Sequence, residues 1–325
     1  MIFRADAPLV LLLALVLDAI IGDPDRVWRR FPHPVVWFGA LIGLFDRLLN
    51  REAWSSEARR TAGILSVAAL VAAAVIPAML LESVLRAVPA GDILVACVAS
   101  VFLAQKSLFG HVRAVRDAFR NGGLPAARHA VSLIVGRDPE RLDETGVARA
   151  AIESTAENFS DGVVAPAFWF ALLGLPGLVA YKAVNTADSM IGHLSVRHRD
   201  FGWAAARLDD ALNLLPARLA GFLIASSAWI VRGSPGEAVR VMLRDASLHR
   251  SPNAGWPEAA MAGALGLALG GPRIYAAGPV DEPFLNAPGR RNASPEDIAR
   301  GLRVMVVAAV LHGLVYAVLS TLMLA

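Results

Sequence analysis

Three carboxylates at intervals of four, Glu153, Glu157 and Asp161, are the first residues of this chain that could do chemistry. At about 100° per residue successive members drift only about 40°, so an uninterrupted helix sets all three on one face, with Asn158 beside it. Like charges stacked in this way repel. Such a face is either solvated and balanced by arginines, or a set of oxygen ligands for a hard cation such as Mg²⁺, with one carboxylate acting as a base. Its position sharpens the question, because residues 153–162 run straight into the hydrophobic stretch 163–181. A charge at membrane depth costs roughly 2.5 to 3.5 kcal/mol on insertion scales, so it is usually paired, bound to a cation or turned toward a watery cavity.

Three further clusters carry the same residue types. Asn185 and Asp188, three apart, share a helical face beside Lys182. Arg207, Asp209, Asp210 and Asn213 precede Pro216-Ala217-Arg218, and the spacing of Asp210 and Asn213 allows them to coordinate one ion together. Residues 244–258 contain His249, Arg250 and Asn253 and lead into a helix of small residues, where Gly263 and Gly266 read as packing positions. Each cluster also has a plain reading, as a helix exit, a solvated face or an incidental loop histidine. The chain lacks a Gly-x-x-x-x-Gly-Lys-Ser/Thr phosphate loop, a His-Glu-x-x-His metal motif, a Gly-x-Ser-x-Gly elbow and a Gly-x-Gly-x-x-Gly fingerprint, so the common soluble enzyme classes are unsupported.

The elements that must position these residues are membrane helices. With 56% hydrophobic and only 18% charged residues, the chain falls outside the soluble globular class. Its apolar residues come in blocks at 8–21, 61–81, 93–103, 163–181, 214–231 and 304–325, several near the ~20 residues that cross the hydrocarbon. The first block is read as a retained helix, since Asp18 interrupts it and Gly22-Asp23-Pro24 matches a cleavage site poorly. Cys97, the single cysteine, excludes a disulfide framework. The positive charge is almost all arginine, and Arg26, Arg29, Arg30, Arg47, Arg51, Arg59 and Arg60 place the first loop in the cytoplasm by the positive-inside rule. These features predict an all-α polytopic membrane bundle, one domain over residues 1–325, with cytoplasmic polar loops at about 22–60, 106–162 and 183–212. Gly174-Leu175-Pro176-Gly177 breaks the run 163–181, giving either a kinked span or a re-entrant hairpin near 163–190, and five to eight crossings. The hairpin is preferred, because it brings both polar flanks to one face.

Several motifs in order, Gly22-Asp23-Pro24 with His33-Pro34-Val35, residues 153–158 with Asp161-Gly162, residues 181–190, Asp209-Asp210 with Asn213 and Pro216-Ala217-Arg218, and residues 249–255, resemble those of the CobD/CbiB cobalamin biosynthesis proteins. Each motif alone is weak, and the ordered set, from residue 17 to about 289, is specific. The resemblance implies adenosylcobinamide-phosphate synthase activity: amide formation between adenosylcobyric acid and an aminopropanol phosphate, with ATP and Mg²⁺, in the bacterial inner membrane with the site facing the cytoplasm. On that reading Glu153, Glu157, Asp161 and His249 are the catalytic candidates, and Glu157, Asp161, Asp188, Asp209 and Asp210 are the magnesium ligands. Arg137, Asn158, Lys182, Asn185, Arg207, Asn213, Arg218, Arg250 and Asn253 are then the groups for phosphates or corrinoid carboxylates. Its partners would be these substrates and the bilayer, with no nucleic acid, and the oligomeric state stays open. The family is also similar, more distantly, to AmpE-type membrane proteins linked to β-lactamase regulation, which leaves a regulatory protein without turnover as the alternative. An ion-coupled transporter would instead place its acids near mid-span.

Overall fold

The computed structural model describes residues 5–136, 138–193, 195–275, 278–280 and 282–324. The chain is helical almost throughout, and four stretches are long and apolar enough to cross a membrane: Ser56–Arg86, Gly91–Ser132, Glu144–Ile191 and Pro295–Met323. It is an integral membrane protein. The block at 8–21 forms a shorter apolar helix, and the block at 214–231 is divided between the end of one helix and a 3₁₀ turn. Contacts separate the chain into two compact units, each assembled from non-consecutive segments.

The first unit comprises residues 1–103, 165–213 and 316–325. It contains α1 (Ala7–Ile20), α2 (Asp25–Trp28), α3 (Pro34–Leu49), α4 (Ser56–Arg86), α5 (Gly91–Ser100), α8 (Ala165–Ile191) and the start of α9 (Trp203–Ser226). α3 begins where His33 Nδ1 accepts from the Val35 amide at 3.2 Å, with Pro34 at the first helical position. Because Nδ1 is an acceptor, Nε2 carries the hydrogen and donates to the Val101 carbonyl at 3.0 Å, tying α3 to the end of α5. Ser55 caps α4 by accepting from the Ala58 amide. The core forms where α4 and α8 pack along each other and α1 lies on α5, burying Leu11, Leu70, Val95, Leu175 and Leu178.

α8 is broken at Gly174, whose φ of 68° and ψ of −157° are open to glycine and strained for other residues. Helix resumes at once because Glu82 Oε2 accepts from the Leu175 amide at 3.1 Å, satisfying a donor that the break exposes, and Pro176 needs none. Both halves of α8 then meet one stretch of α9: Trp169 Nε1 donates to the Leu212 carbonyl at 3.1 Å and the Tyr181 hydroxyl to Asn213 Oδ1 at 3.0 Å. A continuous helix would separate residues 169 and 181 by about 18 Å along its axis. Neighbouring acceptors on α9 favour the folded-back arrangement over a straight span.

The second unit comprises residues 104–164 and 214–315. It holds α6 (Gln105–Ser132), α7 (Glu144–Phe159), the rest of α9, α10 (Pro235–Asp245), α11 (Gly255–Leu265) and most of α12 (Pro295–Leu324). Two short antiparallel pairs join β1 (Leu269–Gly270) to β4 (Phe284–Leu285) and β2 (Arg273–Tyr275) to β3 (Gly278–Val280). α7 is capped by Asp143, which accepts from the Gly146 amide at 2.7 Å. α11, made of small residues, is buried along its length against α10 and α7. Much of the segments 22–60, 106–162 and 183–212, expected as polar loops, is helical. Pro34 and Pro139 stand at helix starts and Arg47 in the last turn of α3, while Arg59, Arg116, Pro125 and Arg149 lie inside helices.

Candidate functional site

In the first unit, α8 and α9 bring Tyr181, Asn185, Asp188, Asp209 and Asn213 into one polar network. Asp209 is only 8% exposed and accepts from Asn185 Nδ2 at 3.2 Å and from Asn213 Nδ2 at 2.9 Å. Burial and then the charge of Asp188 push its carboxyl up to about 7, and the two amide hydrogen bonds offset only part of that rise. Residues 209 and 213 are one helical turn apart, so the amide reaches Asp209. The Asn213 amide thus goes to Asp209, the neighbour of the Asp210 that its spacing also allows to share an ion with it. Asp210 meets Arg207 across 3.5 Å, and burial raises its carboxyl while that arginine lowers it. Arg207 is 67% exposed, so the pair contributes little to stability. Lys182 and Asp188 are half-buried on the same helix as Asn185.

In the second unit Glu153, Glu157 and Asp161 differ in exposure. Glu153 is buried and its Oε1 accepts from the Gly270 amide at 2.7 Å, fixing β1 to α7. Glu157 is exposed and Asp161 half-buried. A π-helical turn over Ser160–Val164 follows α7 and includes Asp161. Helical winding continues through Gly162 into α8. The Gly162 carbonyl accepts from the Ala104 amide at 3.0 Å. Such turns are uncommon and are frequent at functional sites. Asn158 turns back on its own helix, donating to Ser154 O at 2.9 Å and Ser154 Oγ at 3.0 Å.

The segment 249–258 is a second constellation in this unit. His249 Nδ1 accepts from the Ser251 amide at 3.0 Å, which leaves Nε2 facing Glu258 Oε1 at 3.6 Å, both side chains being buried. Ser251 Oγ accepts from the amides of Asn253 and Ala254 and opens α11. At Gly255 a Cβ would stand 2.1 Å from the Ala246 carbonyl, so only glycine allows this approach. Arg218 Nη1 donates to Asn253 Oδ1 at 3.0 Å and to the Leu214 carbonyl at 2.8 Å, and its guanidinium lies 4.4 Å from the centre of the Trp256 ring. Arg250, mostly exposed, stands 3.7 Å from Glu282. Arg137 lies outside the described residues.

Glu258, Tyr181 and Trp256 are contributors that sequence reasoning did not single out. An acid one residue past the proline of an otherwise apolar helix was a usable signal for Glu258. A tyrosine or tryptophan at the edge of a hydrophobic run is too ordinary to be one.

Among the described residues no three histidine, cysteine or acidic groups are arranged to hold a metal. Mg²⁺ is commonly bound through one or two carboxylates, with water and substrate phosphates completing its shell. Asp188 and Asp209, hard oxygen donors whose mutual repulsion a divalent cation relieves, fit that role.

Residues 11–305 match the model of the family described as CobD/Cbib protein. The chain is 55% identical over 314 residues to the cobalamin biosynthesis protein CobD of a Sinorhizobium species, covering 95% of this chain and 97% of that one. It is 52% identical to the protein of the same name from Rhizobium meliloti strain 1021, over 94% of each chain. The Rhodobacter capsulatus protein so named is 47% identical over 94% of this chain and 96% of its own. No solved structure matches. With the family model covering nearly the whole chain and relatives matched end to end, the chain belongs to the CobD/CbiB family.

Proposed function

We propose that this protein is the adenosylcobinamide-phosphate synthase of cobalamin biosynthesis, joining a carboxylate of adenosylcobyric acid to the amine of (R)-1-aminopropan-2-ol phosphate. Relatives named for cobalamin biosynthesis support the pathway, and the Asp188–Asp209 pair is the observation that carries the chemistry. A carboxylate is a poor acylating agent. In this scheme the γ-phosphoryl group of ATP passes to a corrinoid carboxylate oxygen, releasing ADP. The amine nitrogen then attacks the acyl carbon, and phosphate departs with the electrons of the C–O bond.

Asp188 and Asp209 would hold Mg²⁺, held in place by Asn185, Asn213 and Tyr181. When bound, the ion neutralises charge on the transferring phosphoryl group. The attacking ammonium must first lose its proton to a base. Glu153 and His249, each held by a partner within its own unit, serve as positioning residues. The arginine-rich segments favour a site facing the cytoplasm from the inner membrane.

The test is incubation of membranes containing the protein with adenosylcobyric acid, Mg-ATP and candidate amino-alcohol phosphates, with mass detection of the amide. Product supports the reading and identifies the donor. Product formed equally well without ATP removes the activation step, and no product from correctly inserted protein returns the regulatory alternative.

A further inference from the structure

We infer that Arg218, Trp256 and Asn253 form a preorganised seat for one oxyanion of a substrate, taken bidentately by the open edge of the guanidinium. The inference deepens the proposed reaction and rests on it for the identity of the ligand. Arg218 is a half-buried cation with no carboxylate partner among the described residues. This contrasts with Arg197, Arg244 and Arg290, each paired to an aspartate at 2.6 to 2.8 Å. A guanidinium drawn partly out of water needs compensation, and here that comes from neutral groups alone.

The geometry also fixes which way the group points. Nη1 spends its hydrogens on Leu214 O and Asn253 Oδ1, at 2.8 and 3.0 Å. The plane is held by the Trp256 ring, 4.4 Å away. What remains is the edge formed by Nε and Nη2, the fork that matches two oxygens of a phosphate or carboxylate. The turn behind it is rigid: Ser251 Oγ accepts from the Asn253 amide at 3.3 Å, and Gly255 permits the approach to Ala246. Orienting such a fork in advance lowers the ordering cost of binding. The oxyanion could be the phosphate ester of the amine substrate or a carboxylate of the corrinoid acid. Both present the same pair of oxygens.

Arginine-selective labelling of the detergent-solubilised protein with phenylglyoxal, read at Arg218 by peptide mass spectrometry, separates these sources. The probes are (R)-1-aminopropan-2-ol phosphate, the unphosphorylated amino alcohol and adenosylcobyric acid, with exposed Arg240 as the internal control. Slowed labelling of Arg218 by the phosphate ester, with no effect of the unphosphorylated compound, assigns the seat to phosphate. Protection by the corrinoid acid alone assigns it to a carboxylate. Unchanged labelling with every probe overturns the inference. This readout needs no turnover, so it stands apart from failure of the ligase reading. In the turnover assay Trp256→Leu and Arg218→Lys should raise KM for the seated substrate by about tenfold with kcat little changed. A fall in kcat at unchanged KM would contradict a positioning role for Trp256.

Discussion

Asn213 donates its side-chain amide to Asp209 Oδ2 at 2.9 Å, one turn away on α9. The same side chain accepts the Tyr181 hydroxyl at 3.0 Å, so a single buried amide links α8 to an acid that burial and Asp188 push up to about 7.

Removing the link should be costly. Asn213→Ala removes the Asn213 oxygen that accepts from the Tyr181 hydroxyl and the Asn213 amide that donates to Asp209, and losing buried hydrogen bonds of this kind costs about 1–3 kcal/mol. Thermal unfolding in detergent should show a clearly lowered midpoint, with Tyr181→Phe, which removes one hydrogen bond and leaves an amide oxygen, lowering it less.

Glu153 is expected to act through an acceptor oxygen and not through its charge. Glu153→Gln keeps an oxygen for the Gly270 amide and should retain near-normal stability, while Glu153→Ala should lose about 1–3 kcal/mol. Hydrogen exchange at the Gly270 amide reports it directly: fast in the alanine variant and slow in the glutamine variant. Equal exchange in both would contradict the contact.

At Gly174 a side chain meets two obstacles, a positive φ and a Cβ only 2.8 Å from Glu82 Oε2. Gly174→Ala should destabilise by about 1–3 kcal/mol from backbone strain alone. Glu82→Gln, which keeps an acceptor for Leu175, should be milder. A lowered yield of folded protein and a lowered unfolding midpoint are the readouts.

The Asp46 carboxyl gives a pH signature. Burial alone would raise its pKa, but hydrogen bonds from Asn50 and Arg197 and the charges of Arg197 and His198 bring it below the usual value. A pKa depressed in the folded state means the stabilisation is full above the ordinary aspartate pKa and is lost as pH falls through the folded value. The unfolding midpoint of the wild type should therefore exceed that of Asp46→Asn by a constant margin near neutrality. That margin should shrink on acidification below the ordinary carboxylate range. A margin independent of pH would refute the assignment.

How much of this was legible depended on whether local spacing or distant packing decided the outcome. The break at Gly174-Leu175-Pro176 was readable because glycine and proline carry their backbone demands with them. The polar clusters around Asn185, Asp188, Asp209 and Asn213 were readable as acids and amides beside apolar runs. Which aspartate takes the Asn213 amide was not, since that turns on which face of α9 is buried against α8. The π-helical turn has no local marker in Ser160-Asp161-Gly162; it shows where the Gly162 carbonyl meets the Ala104 amide, a contact of high sequence separation. The facing of His249 and Glu258 likewise depends on how α11 starts, and the arginines of the first loop concealed a helix over 34–49 whose only charged residues, Asp46 and Arg47, lie near its end.

The most direct test is amide formation by wild type and Asp209→Asn at matched membrane insertion, measured across a Mg²⁺ titration with adenosylcobyric acid, ATP and (R)-1-aminopropan-2-ol phosphate. Wild type should form the amide in a Mg²⁺-dependent manner, and Asp209→Asn should lose about 10- to 100-fold in Mg²⁺ affinity or activity. Wild-type turnover and unchanged Mg²⁺ dependence in Asp209→Asn would contradict the role given to the Asp188–Asp209 pair.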